Sequence, residues 1–180
     1  RSDWRRELGA HLLPWHRRGW PLLQQLPALW THGDWHASNL LWHDGAAPQV
    51  AAVFDFGLAD RSFALYDLAT AIERNLVPWL DLDRGHRASA DLGQLDALLQ
   101  GYHGVRALDA RQLRQLVALL PLVHADFALG EIEYFAGITG SDANAAVAYE
   151  RYLIGHADWF GGEDGQRLLR HLHHWSAAVA

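Results

Sequence analysis

Two short stretches decide how this sequence is interpreted: Thr31–Asn39, with the sequence THGDWHASN, and Val53–Gly57, with the sequence VFDFG. The first contains a carboxylate, Asp34, followed five positions later by the amide Asn39. The second places Asp55 at the end of a Val-rich run. Together these groups can orient a hydroxyl and hold magnesium on a nucleotide, so the pattern is typical of a phosphotransfer site.

The chemistry explains why these residue types are needed. Phosphoryl transfer requires mainly an aligned nucleophile and cations, because its transition state spreads negative charge over the transferred oxygens. Asp34, on a tight loop opened by Gly33, is the candidate for accepting the proton of a substrate hydroxyl. Asn39 and Asp55 are candidate magnesium ligands, because both offer oxygen, and phosphates and waters can complete the octahedron.

The segment between the two stretches predicts a β-hairpin. Apolar runs at 40–42 and 50–54 are separated by a polar segment in which Asp44–Gly45 supplies turn chemistry. A hairpin returns the chain to its starting point. It therefore predicts that Asn39 and Asp55 lie close together.

Three motifs in order, HGDxHxxN from His32, FDFG from Phe54 and YDLA from Tyr66, resemble the aminoglycoside phosphotransferase and choline kinase superfamily. The resemblance is carried by residues 32–69. It implies a protein-kinase-like fold with Asp34 as catalytic base and Asn39 and Asp55 as magnesium ligands. It also implies ATP as co-substrate, Mg²⁺ as cofactor, and phosphorylation of a hydroxyl on a small molecule such as an aminoglycoside, choline or homoserine.

The resemblance gives two further residues supporting roles. Asp67 is expected to support the catalytic loop, and His32 to pack beneath it. For His36, stiffening of the loop is favoured, and contact with a phosphate is the alternative. An alternative for Asp67 is a first-turn acid favoured by the helix dipole, and an alternative for Asn39 is a hydrogen bond within its own loop.

The substrate is expected to contact the variable helices that follow Asp67. Trp35 in the catalytic loop, and Glu131 and Tyr134 on a long helix, are the candidates for this contact. Acidic groups suit an amine, and aromatic faces suit a quaternary ammonium group. The alternative is that most aromatic side chains at helical spacing belong to the core.

The amino-terminal side departs from the family pattern. All 15 basic residues are arginine, so the strand lysine that contacts nucleotide phosphates in kinases has no counterpart. Only residues 1–31 precede His32, and the chain starts at Arg1 and contains no methionine. We therefore expect a fragment that lacks the nucleotide lobe and is inactive alone. Residues 1–180 are expected to form a single domain, the carboxy-terminal lobe, in which residues 31–57 form the site segment.

Hydrophobic periodicity predicts a mainly α fold with one small β-hairpin. Residues 57–64 are expected to form a loop and 77–89 a soft connection, while Asp109 and Ser141 are predicted N-caps and Pro121 is expected to kink one long helix. The predicted helices cover 3–18, 21–29, 65–76, 91–102, 110–135, 142–160 and 164–178.

Composition narrows the classes of partner and location. A hydrophobic fraction of 50% supports one well-buried core, and the chain has no cysteine for disulfides or thiolate metal sites. A net charge of −6 and a pI near 6.0 argue against a nucleic-acid partner. The apolar run Leu116–Val123 is too short to span a membrane. We expect a soluble, cytoplasmic protein that binds a nucleotide and a small molecule, with no nucleic-acid or membrane partner.

Two alternatives belong to other functional classes. A non-catalytic, kinase-like binding or regulatory module would retain the motif and bind a ligand without turnover. A histidine-metal hydrolase would use the four-residue spacing of His32 and His36 and would contain zinc, but Gly33 disfavours the helix that such a spacing requires.

Overall fold

The computed structural model describes residues 3–175, which form a mainly helical structure with two small sheets. The helices of this part are α1 (Trp4–His11), α2 (Leu13–Leu23), α3 (Tyr66–Leu76), α4 (Trp79–Asp83), α5 (Leu92–Val105), α6 (Ala110–Glu133), α7 (Asp142–Val147), α8 (His156–Gly161) and α9 (Glu163–His174). Its strands are β1 (Ala28–Thr31), β2 (Leu40–His43), β3 (Gln49–Val53) and β4 (Asp60–Phe63).

The core forms around the long helix α6, which packs on α2, α3 and α9. Leu116 and Leu120 lie one turn apart on α6 and are fully buried. They join Ile72 of α3, Leu99 of α5 and Phe160 of α8 in one cluster. Burial of this apolar surface is the main stabilising contribution to the helical body.

Local sequence explains where α6 begins and how far it extends. The Asp109 side chain accepts a hydrogen bond from Gln112 N, and the Gln112 side chain accepts one from Asp109 N, so the predicted cap is a complete capping box. Pro121 does not end the helix, as predicted. Beyond Glu133 the helix continues as a π-helical segment, Tyr134–Thr139.

The helical run 110–139 is long and apolar enough, by length and composition, to cross a membrane. However, 50% of its most apolar window is buried inside the protein. Core helices of soluble proteins have the same property, so the observation is weak evidence for a membrane span.

The predicted hairpin is confirmed. β2 and β3 pair antiparallel from Leu40↔Val53 to His43↔Gln49, with an irregularity between Leu41 and Trp42. The single-hairpin prediction was incomplete, because β1 and β4 form a second antiparallel pair from Ala28↔Phe63 to Thr31↔Asp60. This second pair brings together the two ends of the segment that carries the motifs.

The predictions around the second sheet were wrong. The helix predicted for 21–29 is absent, since Pro21 lies inside α2 and the following chain enters β1. The physical reason is that Pro27 disfavours a helix in the residues before it, and residues 28–31 obtain their backbone partners from β4. The loop predicted for 57–64 contains β4, because β1 supplies its backbone partners.

Several other segments also differ from the predictions. The helix predicted for 3–18 is divided at Leu12, and the connection 77–89 contains α4. The run 142–160 is helical but includes a π-helical segment, Ala148–Gly155. The last helix ends at His174, and residues 176–178 of its predicted range lie outside the described residues.

Candidate active site

The catalytic-loop candidate begins with a glycine in the left-handed region. Gly33 has φ +84°, and a Cβ built on it would lie 2.2 Å from the carbonyl oxygen of Leu58. Both the dihedral angle and this close approach exclude a side chain. The loop after β1 therefore lies directly against the turn that precedes β4.

His32 connects the loop to the end of the hairpin. Its Nε2–H donates to the carbonyl oxygen of Phe54 at 2.9 Å, and its Nδ1 accepts from the backbone N–H of Asp34 at 3.3 Å. The neutral tautomer with the proton on Nε2 satisfies both bonds. His32 is buried, and its ring packs nearly perpendicular to that of Trp35, with the ring centroids 5.5 Å apart.

Asp34 is held by side chains on both of its carboxylate oxygens. Its Oδ2 accepts from His36 Nε2 at 3.2 Å and from Asn39 Nδ2 at 3.1 Å. Its Oδ1 lies 3.3 Å from Nη2 of Arg74. His36 is itself positioned through Nδ1, which lies 2.6 Å from Ser38 Oγ. The carboxylate therefore has a fixed orientation.

Helix α3 supports the loop through side chains that accept hydrogen bonds from the loop backbone. The Asp67 carboxylate accepts the backbone N–H groups of His32 at 2.8 Å and of Gly33 at 2.9 Å. At the position that follows Arg74 on α3, Asn75 Oδ1 accepts the backbone N–H of Ala37 at 2.8 Å. Asp67 thus has two direct contacts with the catalytic loop in addition to its place in the first turn of a helix.

Sequence reasoning missed Arg74 and Asn75. Both follow Asp67 at spacings of seven and eight residues, which place all three on one face of a helix. That spacing was the available signal. The Arg74 guanidinium also lies over the ring of Phe127, 4.6 Å from its centroid, which fixes its direction toward Asp34.

The two candidate metal ligands lie at the open end of the hairpin. The backbone N–H of Phe54 donates to the backbone carbonyl oxygen of Asn39 at 3.2 Å, which places Asp55 beside the catalytic loop. Asp55 is exposed and adopts a left-handed conformation with φ 63°. Among residues 3–175, no protein group donates a hydrogen bond to Asn39 Oδ1 or to the Asp55 carboxylate. These oxygens are therefore available to a hard cation.

The histidines do not form the arrangement that a zinc hydrolase requires. Both ring nitrogens of His32 and of His36 are engaged in the contacts described above. Within the described part of the chain, no group of three or more His, Cys, Asp or Glu side chains is arranged to hold a metal ion. The oxygen pair Asn39 and Asp55 is a different donor set, suited to a cation that keeps water and phosphate ligands.

A cleft of about 860 Å³ lies in front of Asp34. Of the three residues predicted to contact the substrate, Glu131 and Tyr134 line this cleft and Trp35 does not. Its charged lining residues are mainly acidic. They are Asp34, Asp60, Glu73, Asp83, Asp126, Glu131 and a single arginine, Arg74.

Tyr66 stands in the wall of this cleft and remains protonated. Its hydroxyl donates to Asp126 Oδ2 at 3.0 Å. Burial, followed by the negative charge of Asp126 and this hydrogen bond, raises the pKa of Tyr66 far above its ordinary value. The tyrosine is therefore a hydrogen-bond donor over the whole physiological range.

Comparison with known proteins gives one match. The family model described as the phosphotransferase enzyme family matches residues 1–108, which include the catalytic-loop candidate, the hairpin and α3. No curated protein and no solved structure matches the chain.

Proposed function

The chain belongs to the phosphotransferase enzyme family, and on that premise we propose that it transfers the γ-phosphoryl group of ATP to a hydroxyl of a small molecule. The observation that carries this proposal is the placement of Asp34. Its carboxylate is held from both sides, is 17% exposed, and borders a cleft of small-molecule size. A general base in phosphoryl transfer needs this combination of fixed orientation and access.

Asp34 accepts the proton of the substrate hydroxyl in this mechanism. His36 and Asn39 hold Oδ2, and Arg74 holds Oδ1, so the carboxylate does not have to reorganise when the hydroxyl arrives. A positioned base of this kind contributes roughly 10²–10⁴ in rate.

Asn39 and Asp55 would hold the magnesium ion. Their oxygens lack protein donors within residues 3–175, and amide and carboxylate oxygens are the donors that magnesium prefers. When bound, the ion neutralises charge that develops on the phosphates. Asn39 would then serve both the base and the metal, because its Nδ2 donates to Asp34 Oδ2 and its Oδ1 is left for the ion.

We assign the helices and the hairpin to a kinase-like carboxy-terminal lobe. The chain contains no lysine to contact nucleotide phosphates. We therefore expect weak, magnesium-dependent ATP binding by this chain alone, with turnover that is slow or absent.

Calorimetric titration of Mg·ATP tests the metal site. The full chain should bind Mg·ATP, and Asp55→Ala should abolish the magnesium-dependent part of that binding. Asp44→Ala is the matched control, because it removes an exposed carboxylate from the turn of the same hairpin. Equal affinity of the wild-type chain and Asp55→Ala would contradict the assignment of Asp55.

ATP consumption in the presence of a panel of small hydroxyl compounds tests the base. Any turnover by the wild-type chain should fall by about 10² or more in Asp34→Asn, which keeps the shape but not the basicity of the side chain. Turnover that is unchanged in this variant would refute the proposed mechanism.

A further inference from the structure

A second concave surface, here called the α5–α9 groove, lies between helices α5 and α9. Its volume is about 540 Å³, and within the described part of the chain it shares no lining residue with the cleft in front of Asp34. Helix α5 contributes Asp96 and Gln100 to the groove, whereas α9 contributes basic side chains. These basic side chains are Arg167, Arg170, His171 and His174.

The basic side chains form one stripe along α9. Their spacing of i, i+3, i+4 and i+7 from Arg167 places them on a single face of the helix. Leu168 and Leu172, on another face, are fully buried in the core cluster, so the packing of α9 fixes the stripe toward the groove. At a rise of about 1.5 Å per residue, the stripe is about 10 Å long. Positive charge is therefore concentrated along one wall of the groove, in a chain whose net charge is −6.

Both arginines of the stripe lack a charged partner. Among residues 3–175, neither Arg167 nor Arg170 forms an ion pair with a carboxylate. Arg167 Nη2 donates to the backbone carbonyl oxygen of Ala90 at 3.2 Å, just before α5 begins, which holds this guanidinium at the groove. Asp164, about one turn before Arg167, is already paired with Arg87 at 2.8 Å. The charge of the two arginines is therefore available to an anion.

Asp96 is the one carboxylate among the described residues that line the groove, and it is engaged by His171. The Nε2–H of His171 donates to Asp96 Oδ1 at 2.7 Å. Gln100, one turn further along α5, adds an amide whose N–H groups can donate to an anion. The two guanidinium groups outnumber the single negative charge of the lining, so the groove has a net positive charge.

Trp175 lines the groove where α9 ends. Its indole is buried in the core cluster and packs on the ring of His103, with the ring centroids 5.7 Å apart. Leu95 and Leu99, on the buried face of α5, belong to the same cluster. Both helices that form the groove are thus anchored in the core. A ligand therefore meets a groove whose shape is preformed, which lowers the cost of binding.

We propose that the α5–α9 groove binds a small phosphate-bearing molecule with at least two negative charges. A guanidinium group pairs with phosphate oxygens through two parallel N–H···O bonds, and two such groups one turn apart can share the oxygens of one phosphate or of two linked phosphates. A volume of about 540 Å³ suits a small molecule. A stripe of about 10 Å on an acidic chain is too short for the extended basic surface that a nucleic acid requires.

NMR of the arginine Nε–H groups in the full chain tests the proposal, in magnesium-free buffer at constant ionic strength. The probes are inorganic pyrophosphate, inorganic phosphate and succinate, a dicarboxylate without phosphorus. Pyrophosphate should give saturable shifts of the Arg167 and Arg170 signals, and phosphate should do so with weaker affinity because it carries fewer charges. Shifts that do not saturate, or saturation by succinate at the same concentration as by phosphate, would overturn the proposal. Shifts confined to Arg74 would place the anion in the cleft of Asp34 and would also overturn it.

Arg170→Gln is the matched variant, because Arg170 is exposed and its substitution should leave the fold intact. Loss of one charged donor should weaken pyrophosphate binding about 10-fold. Arg114→Gln, at an exposed position on α6, changes the net charge equally and should bind as the wild-type chain does. The same affinity in Arg170→Gln and Arg114→Gln would show that the stripe does not hold the anion.

Asp96→Asn tests the charge of the groove in the opposite direction. The amide oxygen can still accept from His171, but the negative charge that opposes an anion is removed. Pyrophosphate binding should become tighter by roughly threefold, the effect of one charge at a few ångströms in water. Asp44→Asn, in the turn of the hairpin, is the control and should leave the affinity unchanged. Weaker binding by Asp96→Asn would contradict an anion site in this groove.

Discussion

Gly33 is the residue at which a single methyl group should be most damaging to the site. Gly33→Ala combines a left-handed backbone with a contact to the Leu58 carbonyl oxygen at 2.2 Å, and we expect a loss of about 1–3 kcal/mol in unfolding free energy from the backbone strain alone. The contact adds to this loss. Urea unfolding monitored by tryptophan fluorescence measures it.

Gly85→Ala is the matched control for this prediction. Gly85 also has a left-handed backbone, with φ +76°, but a Cβ built there meets nothing within 4 Å. The two variants should share the backbone cost and differ by the cost of the contact. Equal destabilisation would show that the loop and the turn before β4 are not packed as described.

Substitution of Asp67 tests whether its carboxylate stabilises the protein by supporting the catalytic loop or only by its interaction with the helix dipole. Asp67→Asn replaces one of the two oxygens that accept His32 and Gly33 with an amide donor, and we expect a cost of about 1–3 kcal/mol in unfolding free energy. Asp142→Asn, in the first turn of α7, should cost only about 0.3–1 kcal/mol through the dipole. Chemical denaturation of both variants measures the difference, and equal costs would contradict the supporting role.

The residue-scale predictability of the site depended on local spacing. Asp34, Asn39 and Asp55 stand in a pattern within the chain, and the hairpin explains how that pattern closes in space. Arg74 could have been found from its seven-residue spacing to Asp67. The proximity of Glu73, His124 and His156 could not, because only the packing of α3, α6 and α8 brings these residues together.

At the scale of elements, α3 determines the position of the catalytic-loop candidate. Asn75→Ala removes the acceptor for the Ala37 N–H, so we expect faster amide hydrogen exchange over residues 33–38 while the amides of α6 keep their protection. Mass-spectrometric exchange resolves the two regions. Asn144→Ala, an exposed position on α7, is the control. Unchanged exchange in the loop would mean that α3 does not restrain it.

Elements that rely on local signals were predicted, and those that rely on distant partners were not. The β2–β3 turn contains Asp44 and Gly45, and α6 begins with a capping box, so both carry their signals in adjacent residues. β1 and β4 have only four residues each and obtain their backbone hydrogen bonds from one another. Neither four-residue stretch contains a sequence signal that predicts pairing with the other.

At the scale of the whole molecule, His124 should make stability depend on pH. Its pKa is lowered from 6.5 to about 3 by burial and by His156, so the unfolded chain binds a proton at pH values where the folded protein does not. The contribution of His124 to the unfolding free energy has its full value above about pH 6.5. It decreases by about 1.4 kcal/mol per pH unit as the pH falls toward 3.

Unfolding free energies of the wild-type chain and His124→Phe, measured from pH 7 to pH 4, check this dependence. The variant lacks the titrating group, so its stability should fall less steeply as the pH decreases. His173→Gln, at an exposed position on α9, should follow the wild-type slope. Parallel curves for His124→Phe and the wild-type chain would contradict the burial of a neutral His124.

The pairing of Thr31 with Asp60 in the β1–β4 ladder has a consequence for how the molecule could open. Residues 32–59 leave the helical body and return to it at one point, and they contribute none of the core cluster's buried residues. They can therefore unfold and refold as a unit while the helices stay intact. A change of chemistry within this segment therefore reaches the helical body only through the β1–β4 pair and the contacts with Asp67, Arg74 and Asn75 of α3.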